Sequence, residues 1–323
     1  MVFSLQVIGN SFILIAMHQT VITGLGRYLP EKRLTNRELE QRVETSDEWI
    51  FSRTGIRERR IAEQHETASH MGAQAAREAS TKADVKVDDI ELILTATMTP
   101  DYLSPSTAVF IQAELGASQA AACDVGAACS GFLYLLSMAK AYIESGLYKT
   151  ILLVMTEKMS SVIDYTDRNT CILFGDGAAA AVVQADRSGW KVGKTVLGAD
   201  GTQAKLLYVP IGSTLKMEGR EVFKHAVRRM SANAKECLEG RPVDFLVPHQ
   251  ANLRILHATA EAIGLPFERI FVTIDRYGNT SASSAPIALY EMEQAHPEAQ
   301  RVLVTAVGAG LTWGASYLEK VKC

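Results

Sequence analysis

The chain has no closely paired cysteines and no CxxC spacing. Its five cysteines, Cys123, Cys129, Cys171, Cys237 and Cys323, form an odd, scattered set. Such a set argues against both a disulfide framework and a zinc site, so no bound metal is expected, and it suits a reducing, cytoplasmic compartment. An excess of charge is also missing: a formal net charge of −3 gives no reason to expect nucleic acid as the main partner. Long hydrophobic runs are absent beyond the first sixteen residues, MVFSLQVIGNSFILIA, and these are interrupted by Ser4, Gln6, Asn10 and Ser11. That stretch is short for a membrane span and lacks the positive start of a signal peptide. It reads as an extra strand, or as an over-long start ahead of Met17, and no membrane association is expected. There is no Walker pattern either. The glycines of Phe174-Gly175-Asp176-Gly177 lead into a strand of small residues, not into a phosphate cradle. What remains is an ordinary globular composition, 47% hydrophobic and 21% charged, in a chain long enough for one large domain or two halves of about 150 residues each.

Apolar strands without strict alternation, interspersed with segments of helical period, predict sheets covered on both faces in a layered α/β architecture. Strands are expected at residues 20–25, 89–97, 120–124, 150–155, 178–183, 243–247, 270–273, 301–307 and 312–321. Helices are expected at 67–83, 106–115, 131–145, 221–238, 253–263 and 283–295, and Thr35 with Glu38 spells a capping box. Two segments resemble each other: a small-residue turn enters a buried helix after Cys129 and again after Asn279, and each helix is followed by a buried strand and a glycine turn. This suggests an internal duplication. The polar, turn-rich stretch 188–219 holds the boundary, which divides the chain into an extension (1–16), an N-terminal half (17–190) and a C-terminal half (191–323).

Cys129 lies in a run of small residues (Gly126, Ala127, Ala128, Ser130, Gly131) that opens an apolar helical pattern through Phe132, Leu133, Leu136, Ala139 and Ile143. The start of a helix favours an anion, so a thiolate is easier to form there, and small neighbours let a thioester carbonyl approach the backbone. Taken alone, a thiol on an apolar helix is more often structural. Its companions change that balance. Cys129, His249 and Asn279 each sit just outside the end of a buried element, where catalytic groups tend to gather. A thiol can form a thioester while an imidazole and a carboxamide donate hydrogen bonds to a developing oxyanion. Backbone N–H groups at Cys129 and in the Gly308-Ala309-Gly310 turn offer a second oxyanion hole. The bland reading of His249 and Asn279 is that they satisfy buried backbone. Trp49 is followed by Arg53, Arg57, Arg59 and Arg60. This cluster is either a solvated basic face or a place where guanidinium groups pair with phosphates beside a stacked base.

The strings TSDEWIFSRTGIRERRI, DVGAACSGF, YTDRNTCILFGDGAAAAV, VPHQANLRI, YGNTSASSAP and GAGLTWG resemble those of the β-ketoacyl-acyl-carrier-protein synthase III family, within the thiolase-fold superfamily. The resemblance runs from about Thr20 to the C-terminus and implies a thiolase-like fold of duplicated halves in five layers, α-β-α-β-α. It implies a condensing acyltransferase that initiates fatty acid biosynthesis and has no cofactor, with an acyl-CoA starter (acetyl most often) and malonyl-acyl-carrier protein as substrates. Cys129, His249 and Asn279 would be the catalytic set, with the N–H groups of Cys129 and Gly310 as oxyanion hole. Trp49 and Arg168 would sandwich the adenine of coenzyme A, Arg53 would hold its phosphates or pantetheine arm, and Asn252 and Gly219 would line the tunnel. Arg254 and Lys224 would dock the acidic carrier protein. Family members are homodimers formed through their N-terminal half-sheets.

Three departures bear on the substrate. Where many family members have a phenylalanine that closes the acyl pocket across the dimer interface, this chain has Ser104, with Leu103 adjacent, which implies a larger or more polar pocket. The connection 201–218 is short, and Ala309 stands where a central glycine is common. The competing readings are a same-fold enzyme with another starter, either a dicarboxylic acyl-CoA for biotin precursor synthesis or a longer chain, and an inactive scaffold that binds carrier protein. A biosynthetic thiolase would need a second cysteine in the glycine turn, and residues 308–314 contain none.

Overall fold

The structure is a computed structural model. It describes residues 18–322 throughout and residues 2–8 and 11–17 as backbone strands. The N-terminal stretch forms a hairpin of β1 (Val2–Ile8) and β2 (Ser11–Met17). The N-terminal half proper begins with β3 (Thr20–Tyr28). β4 (Arg33–Thr35) and β5 (Glu58–Arg60) pair around α1 (Asn36–Leu39) and α2 (Asp47–Thr54). The capping box is present: Glu38 N–H donates to Thr35 Oγ1 at 3.3 Å, and Thr35 N–H donates to Glu38 Oε2 at 2.7 Å. α3 (Ala68–Lys82) starts on the Thr67 hydroxyl. Next come β6 (Leu92–Ala96), α4 (Thr107–Leu115) and β7 (Ala121–Asp124). The Asp124 carboxylate accepts from Thr107 N–H and Ala108 N–H at 2.6 and 2.8 Å, so a residue from the next strand caps α4. α5 (Gly131–Glu144), β8 (Thr150–Glu157), α6 (Arg168–Cys171) and β9 (Gly177–Ala185) complete this half.

The second half begins with β10 (Gly189–Ala199) and the small hairpin β11 (Leu207–Tyr208) and β12 (Lys216–Met217). It continues through α7 (Gly219–Leu238), β13 (Phe245–Pro248), α8 (Leu253–Ala262), α9 (Ile274–Tyr277), α10 (Ser284–Ala295), β14 (Arg301–Gly308) and β15 (Thr312–Val321). β10 lies in the stretch read as turn-rich. Its two-sided polarity and the register shift between Val192 and Thr195 hide the strand period. Conversely, the strand expected at 270–273 is reduced to one bridge between Ile270 and Leu246.

Nine strands hydrogen-bond in the order β13-β14-β15-β10-β3-β9-β8-β6-β7. Numbered within each half, the N-terminal strands run third, second, fourth, fifth, first, and the C-terminal ones repeat that order once the Ile270 bridge is counted as third. The duplication is therefore one of topology. The two half-sheets join where Trp190 and Lys191 pair with Ile22 and Val21. α3 and α4 cover the N-terminal half-sheet outside, α7 and α8 cover the C-terminal one, and α5 and α10 lie between, touching strands of both. These are the five layers, with the two sheet layers joined along one edge. The central core draws Phe132 and Leu136 from α5, Leu289 from α10, Leu94 and Ala181 from one half-sheet, and Val247 and Val304 from the other. Among the described residues no helix is long and apolar enough to cross a membrane.

Candidate active site

The two helices of the central layer start next to each other, and that is where the chemistry collects. Cys129 stands in a single 3-10 turn, Ala128–Ser130, directly ahead of α5. Ala128 before it has φ +44°, a left-handed conformation that turns the backbone sharply. On the other side is Gly308, where a Cβ would stand 2.7 Å from Cys129 N and 3.0 Å from Ser130 N, so only glycine lets β14 come this close. Cys129, His249 and Asn279 are 5%, 2% and 6% exposed and line one cavity of about 100 Å³ with Phe174, Val307, Gly308 and Leu311. Further walls come from Met217, Gly219 and Phe223 near the start of α7, and from Asn252 and Ile255 at α8. The three residues singled out in the sequence, far apart along the chain, share this one cavity.

Burial dominates the electrostatics. It pushes the Cys129 thiol up to about 12, the Glu157 carboxylate adds to the rise, and the hydrogen bond from Sγ to Ser281 Oγ at 3.5 Å works the other way. The easy thiolate expected from the helix start is thus opposed by desolvation, which spacing along a sequence does not report. His249 is pulled down to about 3 by burial, so it is a neutral imidazole at ordinary pH. Its Nδ1 lies 2.5 Å from Ser284 Oγ, which already accepts the Gln250 N–H at 3.2 Å. The Ser284 hydroxyl proton is therefore best given to Nδ1, which makes Nε2 the N–H of the ring. Asn279 accepts the Ser281 N–H on Oδ1 at 2.8 Å, leaving its NH₂ as the free end. Its backbone is tied across the halves, with Asn279 N–H to Leu173 O at 2.9 Å and Gly175 N–H to Asn279 O at 3.0 Å.

Glu157, Ser281 and Ser284 belong to this site and were not picked out from the sequence. Glu157 closes β8 wholly buried; its carboxylate accepts from Ser281 Oγ and Thr99 Oγ1, both at 2.9 Å, and from Met98 N–H at 3.1 Å. Burial raises it to about 7 despite these donors. A carboxylate ending an otherwise apolar strand was the signal available. The two serines lie within the string around Asn279.

The outer residues are placed less uniformly. Arg168 stacks on Trp49, its guanidinium 5.1 Å from the ring centroid, and donates to Glu44 O at 3.0 Å. A base entering between them would displace the guanidinium. Arg53 is exposed, and its carbonyl accepts from Asn252 Nδ2 at 2.9 Å. Asn252 also caps α8 through Arg254 N–H at 2.9 Å. Arg254 is exposed over the Phe223 ring, and Lys224 is exposed in an ion pair with Glu221 at 2.7 Å. The cationic cluster does not act together. Arg59 is fully buried and donates to Leu34 O, Asn36 Oδ1 and Ile172 O, a structural brace and not a phosphate ligand. In the glycine turn Gly308 and Leu311 line the cavity, whereas Gly310 does not. Leu103 and Ser104 also stand outside it; both are exposed, and Leu103 with Ile211 borders a separate surface hollow.

The chain matches the 3-oxoacyl-(acyl-carrier-protein (ACP)) synthase III family over residues 123–201 and that family's C-terminal pattern over residues 234–320. It is 48% identical to the β-ketoacyl-(acyl-carrier-protein) synthase III of Chlamydia trachomatis serovar D, over 93% of this chain and 99% of that one. It is 50% identical to that of Bacillus pumilus, over 91% and 96%. The crystal structure of the 3-oxoacyl-(acyl-carrier-protein) synthase III of Aquifex aeolicus superimposes with a TM-score of 0.90 at 46% identity, covering 93% of this chain and 99% of that one. Fold, cavity and these likenesses agree: the chain belongs to the β-ketoacyl-acyl-carrier-protein synthase III family of condensing acyltransferases.

Proposed function

We propose that Cys129 takes an acyl group from an acyl-CoA, acetyl in the first instance, and that this thioester is then attacked by a carbanion formed when malonyl-acyl-carrier protein loses CO₂. The product is a 3-oxoacyl-carrier protein, the first intermediate of fatty acid biosynthesis. The observation that carries the reading is the shared cavity in which a thiol, a neutral imidazole and a carboxamide meet. A neutral His249 with its proton on Nε2 and an Asn279 whose NH₂ is free are both donors, which suits an enolate oxygen and not a proton to be abstracted. The thioester oxyanion rests on backbone N–H groups at Cys129 and in the glycine turn, where Gly308 and Leu311 line the cavity. Loss of carboxylate drives the condensation, so the reaction as written uses no metal or redox cofactor.

Trp49, Arg168 and Arg53 would hold the nucleotide end of coenzyme A, with Gly219 and Asn252 along its arm. Exposed Arg254 and Lys224 would meet the acidic carrier protein. The working unit would be a cytoplasmic homodimer. A second reading, with a longer or more polar starter, is favoured by Leu103 and Ser104: they stand free in one chain, so in a dimer they would border the partner's acyl pocket with less bulk than a phenylalanine.

Intact mass after exposure to a panel of acyl-CoAs tests the proposal. One acyl adduct should appear on the wild type and none on Cys129→Ser, while His249→Ala should still acylate but no longer release CO₂ from malonyl-carrier protein. A wild type that takes up no acyl group would leave the scaffold reading in possession.

A further inference from the structure

The cavity raises a question that the thiol, imidazole and amide do not answer: what receives the proton of Cys129. The thiol is deeply buried, and His249 offers an N–H, not a lone pair, if Ser284 holds Nδ1. Among the described residues, the hydrogen bond recorded for the Cys129 sulfur runs to Ser281 Oγ, at 3.5 Å. That oxygen is in turn 2.9 Å from Glu157 Oε1. Ser281 is held at this spot by a left-handed backbone, φ +51°, and by its N–H on Asn279 Oδ1. Such a conformation is costly for serine and persists where surrounding structure fixes it.

We propose that Glu157 is a positioning residue that acts on Cys129 through Ser281, receiving the thiol proton during acylation. This rests on Cys129 being the acylated nucleophile. The S–H gives its proton to the Ser281 oxygen as the Ser281 O–H gives its own to Glu157. The sulfur then bonds to the carbonyl carbon of the acyl thioester, and the bond from that carbon to the departing sulfur breaks. The departing thiolate recovers the proton from Glu157 along the same two oxygens, so the exchange of one thioester for another is balanced.

The surroundings of Glu157 fit a group that shuttles a proton. Its oxygens meet donors from the turn after β6 (Met98 N–H, Thr99 Oγ1, and Thr97 Oγ1 at 3.4 Å) and Ser281 from the turn before α10. The ionisable group facing it is Cys129. Lys158, next in the chain, turns away and donates to Glu63 O and Glu66 O at 2.5 and 3.0 Å, so its ammonium does not lock the carboxylate in its charged form. Burial places its titration near neutrality, where a base is both available and able to hold a proton.

The test is the rate of Cys129 acylation by acetyl-CoA in full-length wild type, Glu157→Gln, Glu157→Asp and Ser281→Ala, followed by intact mass against pH. Loss of a general base should lower the maximal acylation rate about 100-fold in Glu157→Gln and Ser281→Ala with little change in the acetyl-CoA concentration at half-saturation. Glu157→Asp should recover part of that rate, and the wild-type rise in rate with pH near neutrality should vanish in Glu157→Gln. Malonyl-carrier-protein decarboxylation by the same variants should fall by much less than acylation does, since it does not draw on the thiol proton. Equal acylation rates in wild type and Glu157→Gln would overturn the relay, as would parallel loss of acylation and decarboxylation, which would mark Glu157 as merely structural. A wild type that does not acylate refutes the proposed function itself, a different outcome.

Discussion

At the scale of single residues, two buried groups pull stability in opposite directions with pH. Free imidazole titrates near 6.5, and His249 is carried down to about 3 by burial. Between those values the unfolded chain binds a proton that the folded chain refuses, so stability falls as pH drops through that window. Glu157 is raised from 4.5 to about 7 by burial. There the folded chain keeps a proton that the unfolded chain has lost, so this contribution is complete below about 4.5 and disappears as pH rises through about 7. Urea melts of the wild type, His249→Gln and Glu157→Gln between about pH 4 and 8 separate the two. The acid flank should flatten in His249→Gln and the neutral flank in Glu157→Gln. Identical pH slopes in all three proteins would show that neither burial matters. Cys129, His249 and Asn279 were legible in the sequence because each is a chemically distinctive group just outside the end of a buried element. The partners that tune them were not, because Ser281 and Glu157 meet across 124 positions of chain and nothing local marks the meeting.

At the scale of elements, the close approach of β14 to the turn that carries Cys129 is the feature most exposed to a small change. A methyl group on Gly308 would meet Cys129 N at 2.7 Å, Ser130 N at 3.0 Å and Ala127 O at 3.2 Å, all backbone atoms that cannot swing aside. Gly308→Ala should therefore cost about 1–3 kcal/mol of stability, as overpacking does, and should also displace Cys129. Gly201→Ala, where a Cβ meets nothing within 4 Å, serves as the control. Thermal melts and the rate of iodoacetamide labelling at Cys129 read the two effects. A Gly308→Ala protein that melts and labels like the control would contradict the packing argument. The start of α1 was legible because its signal is local: Thr35 sits one residue ahead of the helix it caps, and Glu38 completes the box. β10 was not, because a strand with a register shift and lysines among its apolar residues takes its definition from β15 and β3, which lie far away in sequence.

At the scale of the whole molecule, the duplication was readable because both halves repeat the order of their elements, whereas the seam at Trp190 and Ile22 depends on register, which no local pattern sets. The same topology leaves one edge open. β7 ends the sheet and pairs in parallel with β6. Ala121 N–H and Val125 N–H point to β6, bonding Glu91 O at 3.0 Å and Thr95 O at 2.7 Å. Alternation then aims the Ala122 and Asp124 N–H groups outward. Beside this edge α4 carries Phe110, which packs on Tyr102 at 5.2 Å, and Tyr102 and Leu103 are 59% and 83% exposed. An unpaired edge flanked by exposed apolar side chains is a site for pairing with another chain. The homodimer proposed above would form by β7 meeting its counterpart in a second copy, with Leu103 carried towards the partner. Ala122→Pro removes one outward N–H without touching a bond to β6, at an edge position where proline is tolerated. It should convert a dimer to a folded monomer by light scattering after size exclusion, with circular dichroism unchanged. A variant that stays dimeric, or a wild type that is monomeric at micromolar concentration, would rule out this edge as the interface.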